Sequence, residues 1–223
     1  MHRTTGWLRP LMGVVVVVGG WFSLPRAEAQ IWDNGGVGRN WSNPTNWSPN
    51  TEPTATTVAG IGRPGYDVHA YAVITEPGEV AGKIFMGWAG STGTLAIVSG
   101  DLTNEGETYL GYQAGGGGNI IQSNGTVICK KSGHFRIGAA ANSVGRYVLE
   151  DGALEVLGDV AVGAGGNGVL ACRGGLLTAN AGAGTINIGS AAGSTGILTL
   201  EAKSTIAPRV VYVGNAGTGT FVQ

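Results

Sequence analysis

The chain has 223 residues, of which 42 are glycine and only 12% are charged. A formal net charge of −1 provides no basic face for nucleic acid or for an anionic membrane surface. Glycine this frequent without proline at every third place excludes collagen, and regular apolar pairs exclude a disordered chain.

Residues 1–29 read as a secretory leader. His2, Arg3 and Arg9 precede an apolar run containing Val14 to Val18, and Ala27-Glu28-Ala29 supplies a small-x-small cleavage site before Gln30. The run is shorter than the ~20 residues a spanning helix needs, so cleavage and export are expected rather than anchoring. No later segment is apolar enough to span a bilayer, and the expected location is secreted or on the cell surface.

Residues 30–80 differ in composition from residues 81–223. Trp32, Trp41 and Trp47 lie close together in phrases such as Asn40-Trp-Ser and Asn46-Trp-Ser. Two readings fit. Exposed rings would stack on sugar faces, making a carbohydrate-binding module. Buried rings would cap the first coil of a repeat array, covering its slice of core and its open strand edges. The cap is favoured. After a turn at residues 49–53, residues 56–61 and 66–74 read as strands rich in β-branched and aromatic side chains, and residues 76–79 turn into the regular array.

From residue 81 to 223 one phrase recurs. It begins Gly82-Lys-Ile-Phe-Met-Gly87 and returns with closing glycines at 111, 138, 163, 189 and 214, a drifting period of about 25. One and three places before each closing glycine stand apolar residues, Ile84 and Met86 in the first copy; only Thr108 departs from this. Alternation at period two means a strand with one buried face. A second glycine (93, 118, 145, 168, 196, 219) opens a second strand. A third, at 100, 125, 152 and 175 with Lys203 in the last full repeat, precedes a third strand. Glycine recurring at that third corner suggests positive φ, so Lys203 is either strained or a sign that the corner shifts by one residue. Three strands and three corners per repeat describe an all-β, single-stranded parallel, right-handed β-helix solenoid of ~25-residue coils with an N-terminal aromatic cap. The chain stops at Gln223 inside a second strand, which predicts a longer coding sequence or a partner, such as end-to-end association, over the open end.

Outward positions form columns along the rod. Lys83, Glu107, His134 and Asp159 make one, and Glu150, Arg173 and Glu201 another. Their alternating signs predict cross-strand ion ladders rather than catalytic groups. A third column, Phe85, Tyr109, Arg136, Ala161, Asn187 and Tyr212, puts three aromatics and an arginine on one face. Phe85, Tyr109, Arg136 and Tyr212 are therefore the candidate strip for a cell-surface glycan or protein.

Enzyme signatures are sparse, and no enzyme, metal site or cofactor is expected. Asp151, Glu155 and Asp159 are the densest acids, without acids in the same columns of neighbouring coils. His69 and His134 sit in unrelated contexts, so no zinc site or triad assembles. Two G-x-G-x-x-G matches lack a following helix and read as chance in so glycine-rich a chain. Cys129 and Cys172 occupy different sides of non-adjacent coils, so two buried free thiols are expected. Asn40, Asn46 and Asn124 begin N-x-S/T triplets.

The leader, the Trp32…Asn40-Trp…Asn46-Trp segment, Tyr66-Asp-Val-His, and the phrase Gly90-Ser-Thr-Gly-Thr-Leu-Ala-Ile-Val-Ser-Gly-Asp-Leu102 together resemble bacterial secreted and surface proteins with autotransporter-associated, or PEP-CTERM-associated, β-strand repeats. Gly193-Ser-Thr-Gly-Ile-Leu-Thr-Leu200 carries the same phrase, and the resemblance covers essentially residues 30–223. It implies a right-handed β-helix passenger with a structural or adhesive role, and it transfers no catalytic residue. Members usually continue into a membrane barrel or a sorting anchor, neither of which this sequence shows. The expected function is non-enzymatic structure or adhesion. A carbohydrate-binding module and a polysaccharide lyase- or hydrolase-like β-helix are the alternatives.

Overall fold

A computed structural model describes residues 29–130 and 134–223. The expected leader lies outside these, except for Ala29, which starts the first strand.

The chain winds as a parallel β-solenoid of about eight turns. Three sheets of nine, seven and six strands run along it. A regular coil places one strand in each: Lys83–Met86 in the first, Thr92–Ile97 in the second and Leu102–Asn104 in the third. The next coil repeats this with Thr108–Leu110, Gly117–Gln122 and Thr126–Cys129, and the one after with Phe135–Ile137, Val144–Leu149 and Ala153–Val156. Register is strict. Ile84 faces Thr108, Thr108 faces Phe135, Phe135 faces Val160 and Val160 faces Ile186. Second-sheet strands are mostly six residues long, whereas third-sheet strands have three or four, so the cross-section is unequal-sided.

Alternation sends every other residue inward, and the three inward sets share one core. Met86, Leu95, Ile97, Leu102, Leu110, Ile137, Leu149 and Leu154 are all fully buried within it. Thr108 and Gln122 are inward and polar, and both find partners. Thr108 accepts from Asn104 Nδ2 at 2.7 Å and lies 3.6 Å from Cys129 Sγ. Gln122 accepts from the Tyr147 hydroxyl and donates to the carbonyls of Gly125 and Ala153 at 2.9 Å each. Thr108 thus departs from the apolar rule because its hydroxyl is satisfied inside the core.

Two glycine columns meet at the corner between the first and second sheets. All six closing glycines adopt left-handed backbone, with φ from 67° to 75°. The second glycines do not; there a Cβ would strike backbone, at Gly145 the amide nitrogen of Gly138 and at Gly168 that of Gly163. Close approach alone explains the second column, whereas the first answers both demands, since a Cβ at Gly87, Gly138, Gly163 or Gly189 would also strike the backbone of the next coil.

At the third corner the expected positive φ holds for Gly125, Gly152 and Gly175. Gly100 is a correction. It stays outside the left-handed region and is glycine because a Cβ would meet the carbonyl of Glu76. Lys203 is not strained. Leu176 pairs with Thr205, so Ser204 stands beside Gly175 and the corner shifts by one residue. The Ser204 hydroxyl bonds the Cys172 carbonyl at 2.6 Å, tying the shifted corner down.

The N-terminal segment closes one end of the core. Ala29–Trp32 adds a parallel strand to Val58–Ile61, and Trp47–Ser48 folds back antiparallel on it, leaving a two-residue edge. Between them, Asn40 bridges Val73 of the second sheet. Trp32, Trp41 and Trp47 are fully buried and pack edge to face, with centroids 5.1 and 4.7 Å apart. Asn46, also buried, accepts from the Gly36 amide and donates to the Gly38 and Asn40 carbonyls, which fixes the loop and removes it as a sugar acceptor in the folded state.

Candidate functional site

The outward face of the first sheet gathers most of the exposed chemistry. Its central column runs Gly60, Phe85, Tyr109, Arg136, Ala161, Asn187 and Tyr212, in strand register throughout. Just past each closing glycine a second column adds Trp88, Tyr112, Ala139, Ala164, Ser190 and Asn215.

Over the first two regular coils the two columns fuse into an aromatic block. Phe85 stacks on Tyr112 with centroids 4.4 Å apart and on Tyr109 at 5.4 Å. Trp88 meets Tyr112 edge to face at 5.1 Å, and it has room because Gly60 carries no side chain beneath it. Each end of the block is closed by a guanidinium. Arg63 lies 5.8 Å from the Trp88 ring centre and 5.6 Å from that of Tyr66, and Arg136 lies 5.4 Å from that of Tyr109. Cation–π contact of this kind is worth ~0.5–1 kcal/mol at exposed sites. The Tyr109 hydroxyl is 3.0 Å from His134 Nδ1, so this histidine serves the block.

Beyond Arg136 the columns turn small. Ala161 and Ala164 floor a recess of about 350 Å³, with Arg136, Asp159, Asn187, Ser190 and Asn215 around it. Arg136 and Asp159 line the same recess, yet among the described residues neither forms an ion pair. Asp159 Oδ1 accepts from the Thr185 amide at 2.7 Å, and Asn187 Nδ2 donates to Thr185 Oγ1 at 3.0 Å.

Of the four strip residues expected from sequence, Phe85, Tyr109 and Arg136 come together. Tyr212 is separated from Arg136 by Ala161 and Asn187. Trp88, Tyr112 and Arg63 belong to the block and were missed; the position after the closing glycine was a readable column.

The other columns make the expected ladders in part. Lys83 Nζ is 2.7 Å from Glu107, and Arg173 joins Glu150 at 2.8 Å and Glu201 at 3.5 Å. His134 and Asp159 instead spend their side chains on Tyr109 and the Thr185 amide. Lys130 with Glu105 at 2.7 Å is a further rung the columns did not suggest. Asp151, Glu155 and Asp159 do not converge. Asp151 caps the Gly152 amide, Glu155 faces out from the third sheet and Asp159 belongs to the first.

Among the described residues, no three His, Cys, Asp or Glu side chains are grouped to hold a metal ion. Both cysteines are buried and free, and burial pushes each thiol up to about 12. No helix among the described residues is long and apolar enough to cross a membrane. Compared with protein-family models, with characterised proteins and with solved structures, the chain shows no significant match.

Proposed function

We propose that the chain is an exported, non-catalytic β-solenoid acting at or outside the cell surface as structural and adhesive material. It makes contact through the outward face of its first sheet. The supporting observation is concentration: Phe85, Trp88, Tyr109 and Tyr112, flanked by Arg63 and Arg136, pack together on one outward face of the rod. Half-buried aromatics and arginine are the side chains that carry most binding energy where surfaces meet. The buried tryptophans of the cap offer no ring face, so any glycan contact falls to this face instead.

The full chain, carried through an export pathway, should appear outside the cell beginning at Gln30. It should adhere to plates coated with bacterial exopolysaccharide or with gelatin. Phe85→Ala with Tyr109→Ala should reduce adhesion at least several-fold without altering the circular dichroism spectrum. Protein retained inside with Met1 intact, or adhesion indifferent to the double change, would refute this reading.

A further inference from the structure

The recess beside Arg136 lies on the same face, just past the aromatic block. Several outward charges pair across neighbouring coils, as Lys83 does with Glu107 and Arg173 with Glu150. Here a cation and an anion border one depression without touching. We propose that this recess is a saccharide subsite that takes one or two pyranose units of a neutral, extended glycan lying along the solenoid axis. The proposal rests on the adhesive reading above and names its ligand.

Three observations select that ligand. The first is the balance of groups. Arg136 only donates and the Asp159 carboxylate only accepts, whereas Asn187, Ser190 and Asn215 do both. The formal charges of Arg136 and Asp159 cancel. Such a lining fits hydroxyls, each of which donates and accepts, and gives no net attraction to an acidic sugar.

The second is what the backbone withholds. The strands Phe135–Ile137, Val160–Val162 and Thr185–Ile188 are each paired on both sides, so at these strands the sheet offers no free edge to an extended peptide. Recognition here falls to side chains, which suits a ligand bearing its own array of hydroxyls.

The third is shape and spacing. The methyl groups of Ala161 and Ala164 give the recess an apolar part, and Arg136, stacked on Tyr109 on its other side, lines it as well. This matches a pyranose, apolar on its C–H faces and polar at its rim. One coil advances ~4.8 Å, close to the length of one sugar in an extended chain. Successive sugars would therefore meet successive coils, from Tyr109 over the recess to Tyr212. A volume of about 350 Å³ lies at the small end of ligand sites, which span ~300–1,000 Å³.

Binding of cellohexaose, mannohexaose and a uronic-acid hexamer to the full chain, measured by titration calorimetry, tests this. At least one neutral hexamer should bind, and more tightly than the acidic one. Ala161→Trp, which fills the recess from its floor, and Arg136→Ala should each weaken that binding tenfold or more while the circular dichroism spectrum stays that of the folded chain. Glu150→Gln, on a remote ladder, should leave it unaltered. No binding of either neutral hexamer, tighter binding of the acidic one, or binding indifferent to Ala161→Trp would overturn the subsite. Retained adhesion to gelatin alongside such a result would leave the adhesive reading standing, and loss of adhesion to both coatings would remove it as well.

Discussion

Glu79 places a carboxyl on a column that otherwise points into the core. It pairs in register with Leu102, is buried at the start of the third sheet, and has Glu52 and Glu76 nearby. Burial first, then those two carboxylates, raises its pKa from 4.5 to about 7. The folded state therefore holds this proton more tightly than the unfolded chain does. The stabilisation is fully present below pH 4.5, declines as pH rises through the window to about 7, and is gone above it. Melting temperature should fall across that window in the native protein, and Glu79→Gln should flatten the fall. A parallel slope in both proteins would exclude Glu79 as the source. In sequence Glu79 falls at the end of a turn, and its inward direction is hidden because the first coil breaks the repeat that fixes direction elsewhere. Cys129 and Cys172 were legible as buried thiols for the opposite reason: their repeat positions fix which sheet holds each.

At the scale of strand and corner, the loop glycine Gly115 and the strand glycine Gly145 answer two physical demands that look alike in sequence. Gly115 has φ of 71° and open space around a would-be Cβ, so Gly115→Ala should cost only the left-handed penalty of ~1–2 kcal/mol. Gly145 has ordinary φ, but a Cβ there would enter the backbone of Gly138 and crowd the carbonyl of Leu110. Gly145→Ala should therefore prevent folding or lower the midpoint far more than Gly115→Ala does in a denaturant titration. Equal losses would show that the close approach at Gly145 adds nothing to the cost of a side chain there. The strands were legible because apolar alternation and glycine punctuation agree over every copy. The face was only half legible. Phe85, Tyr109 and Arg136 fall on a strand, where period two fixes direction, but Trp88 and Tyr112 follow a left-handed glycine. Only the corner's geometry shows that their rings swing back over the sheet. The recess was not legible at all, since Ala161 and Ala164 matter there for what they leave empty.

Taken whole, the molecule is a stack in which each regular coil pairs with the coil above and the coil below. The tryptophan cap ends that stack at the N-terminal side by supplying strands to the first sheet and a bridge to the second. Its three rings are the inward continuation of the core, which is why the segment stands apart from the repeats in sequence yet joins them in space.

The identical corner in successive coils has a consequence for length. Gly138 and Gly163 share one backbone conformation and one position in the register, and each is followed by an alanine. Excising residues 139–163 should therefore splice one coil onto the next but one without disturbing any strand. The product should be a folded rod shorter by ~4.8 Å, with sharp dispersed amide resonances and a slightly smaller radius of gyration by X-ray scattering. A collapsed or aggregated product would show that the coils are not interchangeable. If the splice holds, the length of the rod is set simply by how many copies the chain carries, and it behaves as a ruler whose divisions can be added or struck out one at a time.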